Sequence, residues 1–125
     1  MIRETINATN APAAVGPYVH AVKAGDTVYT SGQLGLIPET GELAVGVEAQ
    51  AEQAIKNLEA VLVAAGMTLK NVVKTTVFLA DIKDFAAINA IYANYFSTEA
   101  PARSCVQAAA LPKGGLFEIE AIAVK

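Results

Sequence analysis

The chain has 125 residues, 54% of them apolar, a mean hydropathy of +0.40 and a formal net charge of −3. That length fits one domain, residues 1–125, able to bury about two-thirds of its unfolded surface without covalent staples. The acidic balance and dispersed lysines argue against nucleic-acid binding, which needs a positive patch, and no uncharged apolar run approaches the ~20 residues of a membrane helix.

Tyr18 to Lys23 reads as a strand, Gly25-Asp26 as a turn, and Thr27 to Ser31 as a second strand, so the pair predicts a hairpin. Pro38-Glu39-Thr40-Gly41-Glu42 is turn chemistry, with Gly41 suited to positive φ. From Val47 to Ala65 the apolar positions Val47, Ala51, Ile55, Leu58 and Leu62 recur at helical spacing, and Gly66 is a natural stop. Val72 to Leu79 is β-branched and reads as a strand covered on both faces. Asp84 is a candidate cap for a second helix, with Phe85, Ile88, Tyr92 and Tyr95 or Phe96 on its inner face. Ser104 to Ala110 and Leu116 to Val124 are the last two strands, joined through Leu111 to Gly115.

The order β-β-α-β-α-β-β describes an α+β sandwich. Each helix connects strand to strand, and the right-handed crossover rule places both on one face of a mixed sheet. The other face is left bare. Together with the high apolar content, that predicts an oligomer in which a second copy covers it. The single cysteine forms no disulfide within the chain, and residues 1–6 carry no leader pattern; the expected setting is reducing and cytoplasmic.

Arg103 is one of two arginines and stands in the apolar stretch Ala100-Pro101-Ala102-Arg103-Ser104-Cys105-Val106. A guanidinium keeps its charge, so a partly buried one needs an anion. That anion is either a small organic acid held by two parallel hydrogen bonds or, more plainly, Glu118 or Glu120 in a structural ion pair. Glu118 and Glu120 are two apart and point the same way in a regular strand; geometry alone does not say which would serve water. Cys105 shares the strand face of Arg103 and reads as a neutral lining thiol, since the only histidine, His20, has nothing that brings it near. With one histidine and one cysteine, no metal site is expected. His20 reads as a surface or rim residue. Ser31-Gly32-Gln33-Leu34-Gly35 lacks the pattern of a dinucleotide or phosphate loop, and Gly32 instead permits close backbone approach.

Six blocks, taken in order, resemble the RidA/YjgF family of reactive-intermediate deaminases. They are Gly16-Pro17-Tyr18, Tyr29 to Gln33, Pro38 to Leu43, Lys74 to Leu79 with Asn89-Ala90-Ile91-Tyr92, Ala100 to Val106, and Glu118 to Ala121. The resemblance implies a chorismate-mutase-like fold, a homotrimer with clefts between subunits, and hydrolysis of short 2-imino acids such as 2-iminobutanoate and 2-iminopropanoate to 2-keto acids and ammonia, with no cofactor. It implies Arg103 as the carboxylate clamp and Glu118 as the acid that positions water, with Tyr18, Ser31, Gly32, Asn89 and Cys105 as substrate-binding residues. After Gly16-Pro17-Tyr18 many relatives carry Ser-Gln where this chain has Val19-His20, a change placed at the cleft rim. We expect Arg103 and Glu118 to face one cleft from different subunits. Two other functions fit the same residues: a non-catalytic binder of small carboxylates or chaperone-like module, and a ribonuclease or translation inhibitor, which the charge disfavours.

Overall fold

A computed structural model describes residues 2–125. The first strand, β1 (Arg3–Ile6), pairs antiparallel with β2 (Ala21–Ala24), which forms the expected hairpin with β3 (Thr27–Thr30) across Gly25-Asp26. A two-residue strand, β4 (Gln33–Leu34), follows. The long helix α1 (Val47–Ala64) leads to β5 (Val72–Leu79), and α2 (Phe85–Tyr95) leads to β6 (Ala102–Gln107); β7 (Phe117–Val124) ends the chain. The sheet runs β1-β2-β3-β7-β5-β6, with β4 also on β7. Among the described residues only β5 and β6 pair in parallel, and α2 is the crossover between them. The last two strands do not touch; β5 lies between them.

α1 forms because its apolar stripe repeats at helical spacing, and it stops because Gly66 takes φ +78° while Met67 N–H reaches back to the Leu62 carbonyl at 2.8 Å. Ile55, Leu58 and Leu62 on its inner face are completely buried, each contributing roughly 1.5–3 kcal/mol of hydrophobic stabilisation. Two polar residues of the same helix are buried as well. Asn57 donates to the carbonyls of Leu34 and Leu36, while Gln50 donates to the Ala44 carbonyl and accepts from Leu116 N–H. These bonds tie β4 and the start of β7 to the helix. Gly35 has no side chain because a Cβ there would lie 2.4 Å from the Gln50 carbonyl oxygen.

Both helices share one core with the sheet: residues of α1 pack with Ile88 and Tyr92 of α2 and with Val77, Leu79, Ile119 and Ala121. Along β5 and β7 burial alternates, one face fully buried and the other partly exposed. The expectation that β5 is covered on both faces therefore fails within one chain. The second face carries Tyr29, Val106 and Val124, all exposed, beside a small separate cluster of Leu34, Leu36 and Leu111.

Asp84 precedes α2 but makes no capping bond; Asp81 caps the short turn before it, accepting from Lys83 N–H at 2.9 Å. His20 is also not where its sequence context put it. It is buried, its Nδ1 accepting from Ala8 N–H at 2.9 Å and its Nε2 donating to the Pro12 carbonyl at 2.7 Å. It pins the N-terminal segment to β2 rather than lining a rim. Tyr18 and Val19 precede β2 instead of opening it.

Candidate active site

Sheet register settles where the two charged groups lie. Arg103 pairs with Thr75, and Thr75 pairs with Ala121. Thr75 and Ala121 are both buried beneath the helices, so Arg103 belongs to the helix-covered side. Glu118 is an odd number of residues from Ala121, and alternation turns it to the opposite face. It pairs there with Phe78 and Leu34, which pack in the smaller apolar cluster. One sheet thus carries the cation on one side and the acid on the other. An ion pair between Arg103 and Glu118 or Glu120 of the same chain is ruled out by this placement.

The Arg103 side is built from β6 and α2. The guanidinium carbon sits 4.7 Å from the ring centroid of Tyr92 and 5.3 Å from that of Phe85. Among the described residues Arg103 has no carboxylate partner; its guanidinium rests against these two rings. Asn89 lies between Phe85 and Tyr92 on the same helical face, and its buried Oδ1 has no hydrogen-bond partner. Cys105 follows Arg103 on the same strand face, partly buried. Burial pushes its thiol up and Arg103 pulls it down by less, so it is a thiol rather than a thiolate.

The Glu118 side is built from β7, the β3–β4 break and the loop before β2. β3 and β4 both pair with β7 but are interrupted at Ser31-Gly32, where Thr30 Oγ1 accepts from Ala121 N–H at 3.0 Å. The Glu118 side chain folds over Gly32: a Cβ there would meet its Oε2 at 2.4 Å. Gly32, Tyr18, Lys113 and Glu118 line one small hollow. Burial pushes the Glu118 carboxyl up, and the neighbouring Glu120 adds to the rise. Tyr18 is exposed, its hydroxyl accepting from Val15 N–H at 3.3 Å. Ser31 donates its hydroxyl to the Val19 carbonyl at 2.6 Å, which fixes the loop carrying Tyr18 and leaves the oxygen's lone pairs for other partners.

The seven residues singled out from sequence therefore fall into two groups. Arg103, Cys105 and Asn89 lie on one side; Glu118, Gly32, Tyr18 and Ser31 lie on the other. Sequence reading did not anticipate the rings beneath Arg103: Phe85 and Tyr92 were assigned to the inner face of α2 only as packing residues. Among the described residues no three His, Cys, Asp or Glu side chains converge as a metal site.

Fold and site together define a class: an α+β sandwich, one sheet with both helices on one side, presenting a cation and a half-buried acid on opposite faces. The family follows from comparison with known proteins. The family model described as Endoribonuclease L-PSP matches residues 8–125, and the chain belongs to that family, the RidA/YjgF group. A mouse (Mus musculus) 2-iminobutanoate/2-iminopropanoate deaminase is 54% identical over 126 residues, covering 100% of this chain and 93% of that protein. Among solved structures, RidA from the Antarctic bacterium Psychrobacter sp. superposes with a TM-score of 0.95 at 53% identity, covering 98% of this chain and 99% of the other. E. coli TdcF with bound serine gives a TM-score of 0.94 at 46% identity, covering 98% of each chain.

Proposed function

We infer that this protein is a hydrolase that converts short 2-imino acids, 2-iminobutanoate and 2-iminopropanoate among them, to 2-keto acids and ammonia. The activity accords with the mouse deaminase, similar along the whole chain. Serine bound to TdcF supports a small amino-acid-like guest carrying a carboxylate. The observation that carries the reading is Arg103, a permanent cation held by rings and matched by no acid among the described residues.

The working site, in this proposal, is shared between copies in a homotrimer. Within one chain the sheet separates Arg103 from Glu118, so a substrate touching both needs Glu118 from a neighbouring copy. The bare sheet face, with Tyr29, Val106 and Val124 exposed, supports such an assembly. Arg103 grips the substrate carboxylate through two parallel hydrogen bonds, with the Cys105 backbone and Asn89 beside it. Tyr18, Ser31 and Gly32 approach from the other copy. Glu118, its affinity for a proton raised by burial, accepts one from a water as that oxygen bonds to the C=N carbon and the π electrons move to nitrogen. The carbinolamine formed from the protonated imine then collapses: Glu118 returns its proton to the amino nitrogen, the C–N bond breaks as the hydroxyl oxygen forms the C=O bond and gives its proton to the freed Glu118 carboxylate and on to solvent, and the nitrogen departs as ammonia. Orientation supplies much of the effect, because an iminium carbon is already electrophilic. No cofactor enters this sequence. The lone cysteine supports a reducing, cytoplasmic setting, and among the described residues no helix is long and apolar enough to cross a membrane.

The family description names an endoribonuclease activity. Against it stand the net charge of −3 and the absence of a basic stripe in the sequence. The deciding experiment generates iminopropanoate and iminobutanoate enzymatically and follows 2-keto acid release. Wild type accelerates it and Arg103→Ala does not. An Arg103→Ala protein with full turnover removes the clamp and the reading with it.

A further inference from the structure

A carboxylate beneath Arg103 would neutralise it and occupy its N–H donors, leaving little to hold a substrate. The structure uses rings instead. An aromatic face attracts a cation through its quadrupole and takes none of the in-plane donors that an acid would consume. We propose that Tyr92, locked by Thr75, and Phe85 form a neutral platform that positions Arg103 for its anionic guest. This inference rests on Arg103 being the carboxylate clamp.

Several independent contacts fix the platform. The Tyr92 hydroxyl and Thr75 Oγ1 share a hydrogen bond of 2.8 Å, and Thr75 is completely buried. Thr75 is also the residue paired with Arg103 across β5 and β6. One position on the neighbouring strand thereby sets both the backbone of the cation and the ring beside it. Phe96 packs against the same ring, centroids 4.6 Å apart. The crossover between β5 and β6 explains the juxtaposition: the helix that joins parallel neighbours lies over them, and Phe85 and Tyr92, seven residues apart, fall on one face of it. Burial raises the Tyr92 phenol by more than Thr75 and Arg103 lower it, so the ring stays uncharged.

Tyr92 and Phe85 are positioning residues: they act through Arg103. Ring attraction for a cation has a signature that packing does not share. It falls stepwise as fluorine withdraws charge from the ring face, while ring size changes little. Phe85 is the place to test this, because it is exposed and substitution there leaves the core intact. Replace Phe85 by 4-fluoro-, 3,5-difluoro- and 3,4,5-trifluorophenylalanine in the full chain, and measure 2-ketobutanoate binding and the KM and kcat of imine hydrolysis. Dissociation constant and KM should rise stepwise, to about 3- to 5-fold for the trifluoro ring, with kcat changing less. Tyr92→Phe, which keeps the ring and loses the Thr75 bond, should weaken binding less than Tyr92→Leu, which loses the ring. A flat fluorine series, with Arg103→Ala still abolishing 2-ketobutanoate binding, overturns the platform and spares the clamp. If Arg103→Ala binds 2-ketobutanoate as wild type does, the clamp itself is wrong.

Discussion

The two faces of the sheet hold their charged groups by different means. On the helix side Arg103 is placed by packed aromatic rings on a βαβ crossover, and a guanidinium as a class keeps its charge. On the other side Glu118 is placed by an absence: a gap in strand pairing and a glycine without a side chain let its carboxylate fold inward. There the charge is adjustable, because burial and Glu120 raise its affinity for a proton. A group that binds needs constancy, and one that exchanges protons needs a tunable environment. Neither face has both.

The sharpest way to break this contrast is at the acid. Glu118→Gln should lower turnover about 10²-fold or more, the usual scale for losing a general base. Glu120→Gln, which changes an exposed side chain, should stay near wild type. The reverse order would assign the proton transfer to Glu120 instead.

A smaller effect tests how the acid is placed. Gly32→Ala puts a Cβ against the Glu118 carboxylate. The obstacle is the end of a flexible side chain, so the fold should survive while the carboxylate is displaced, lowering turnover by about 10- to 10²-fold. Unchanged circular dichroism with unchanged turnover would show that the glycine does not shape the acid's position.

The smallest effect is thermodynamic. Burial raises the Glu118 pKa in the folded chain above its unfolded value, so ionised Glu118 destabilises the fold. That penalty is absent below the ordinary carboxylate range, grows as pH rises through it, and is complete above the raised value. Glu118→Gln should therefore melt at the wild-type temperature near about pH 3 and a few degrees higher near about pH 8. A melting difference that does not vary with pH would mean the carboxyl is unperturbed in the protein.

Much of the fold was legible in the residues. β5 follows the β-branched run Val72 to Leu79 residue for residue, and α1 follows its stripe to within one residue. The one-sided helices followed from connection chirality. The N-terminal strand was not legible, because Arg3-Glu4-Thr5 is polar and exposed and shows no apolar alternation before Ile6. β4 is two residues long, too short for any period to show. His20 was misplaced because its partners, the Ala8 amide and the Pro12 carbonyl, are backbone groups without side-chain signal. The candidate site residues rest on family likeness and on Arg103's isolation among apolar neighbours. Their division between faces was hidden, since parity between Arg103 and Glu118 depends on the register of β6 on β5 and of β5 on β7. No local pattern encodes that register.

The central claim is that one active site takes Arg103 from one copy and Glu118 from another. Co-refolding equal amounts of the inactive Arg103→Ala and Glu118→Gln proteins tests it directly. If each cleft draws its two residues from separate chains, random mixing restores about a quarter of wild-type turnover. If both residues serve a site within one chain, every chain in the mixture is defective and turnover stays at the level of the separate variants.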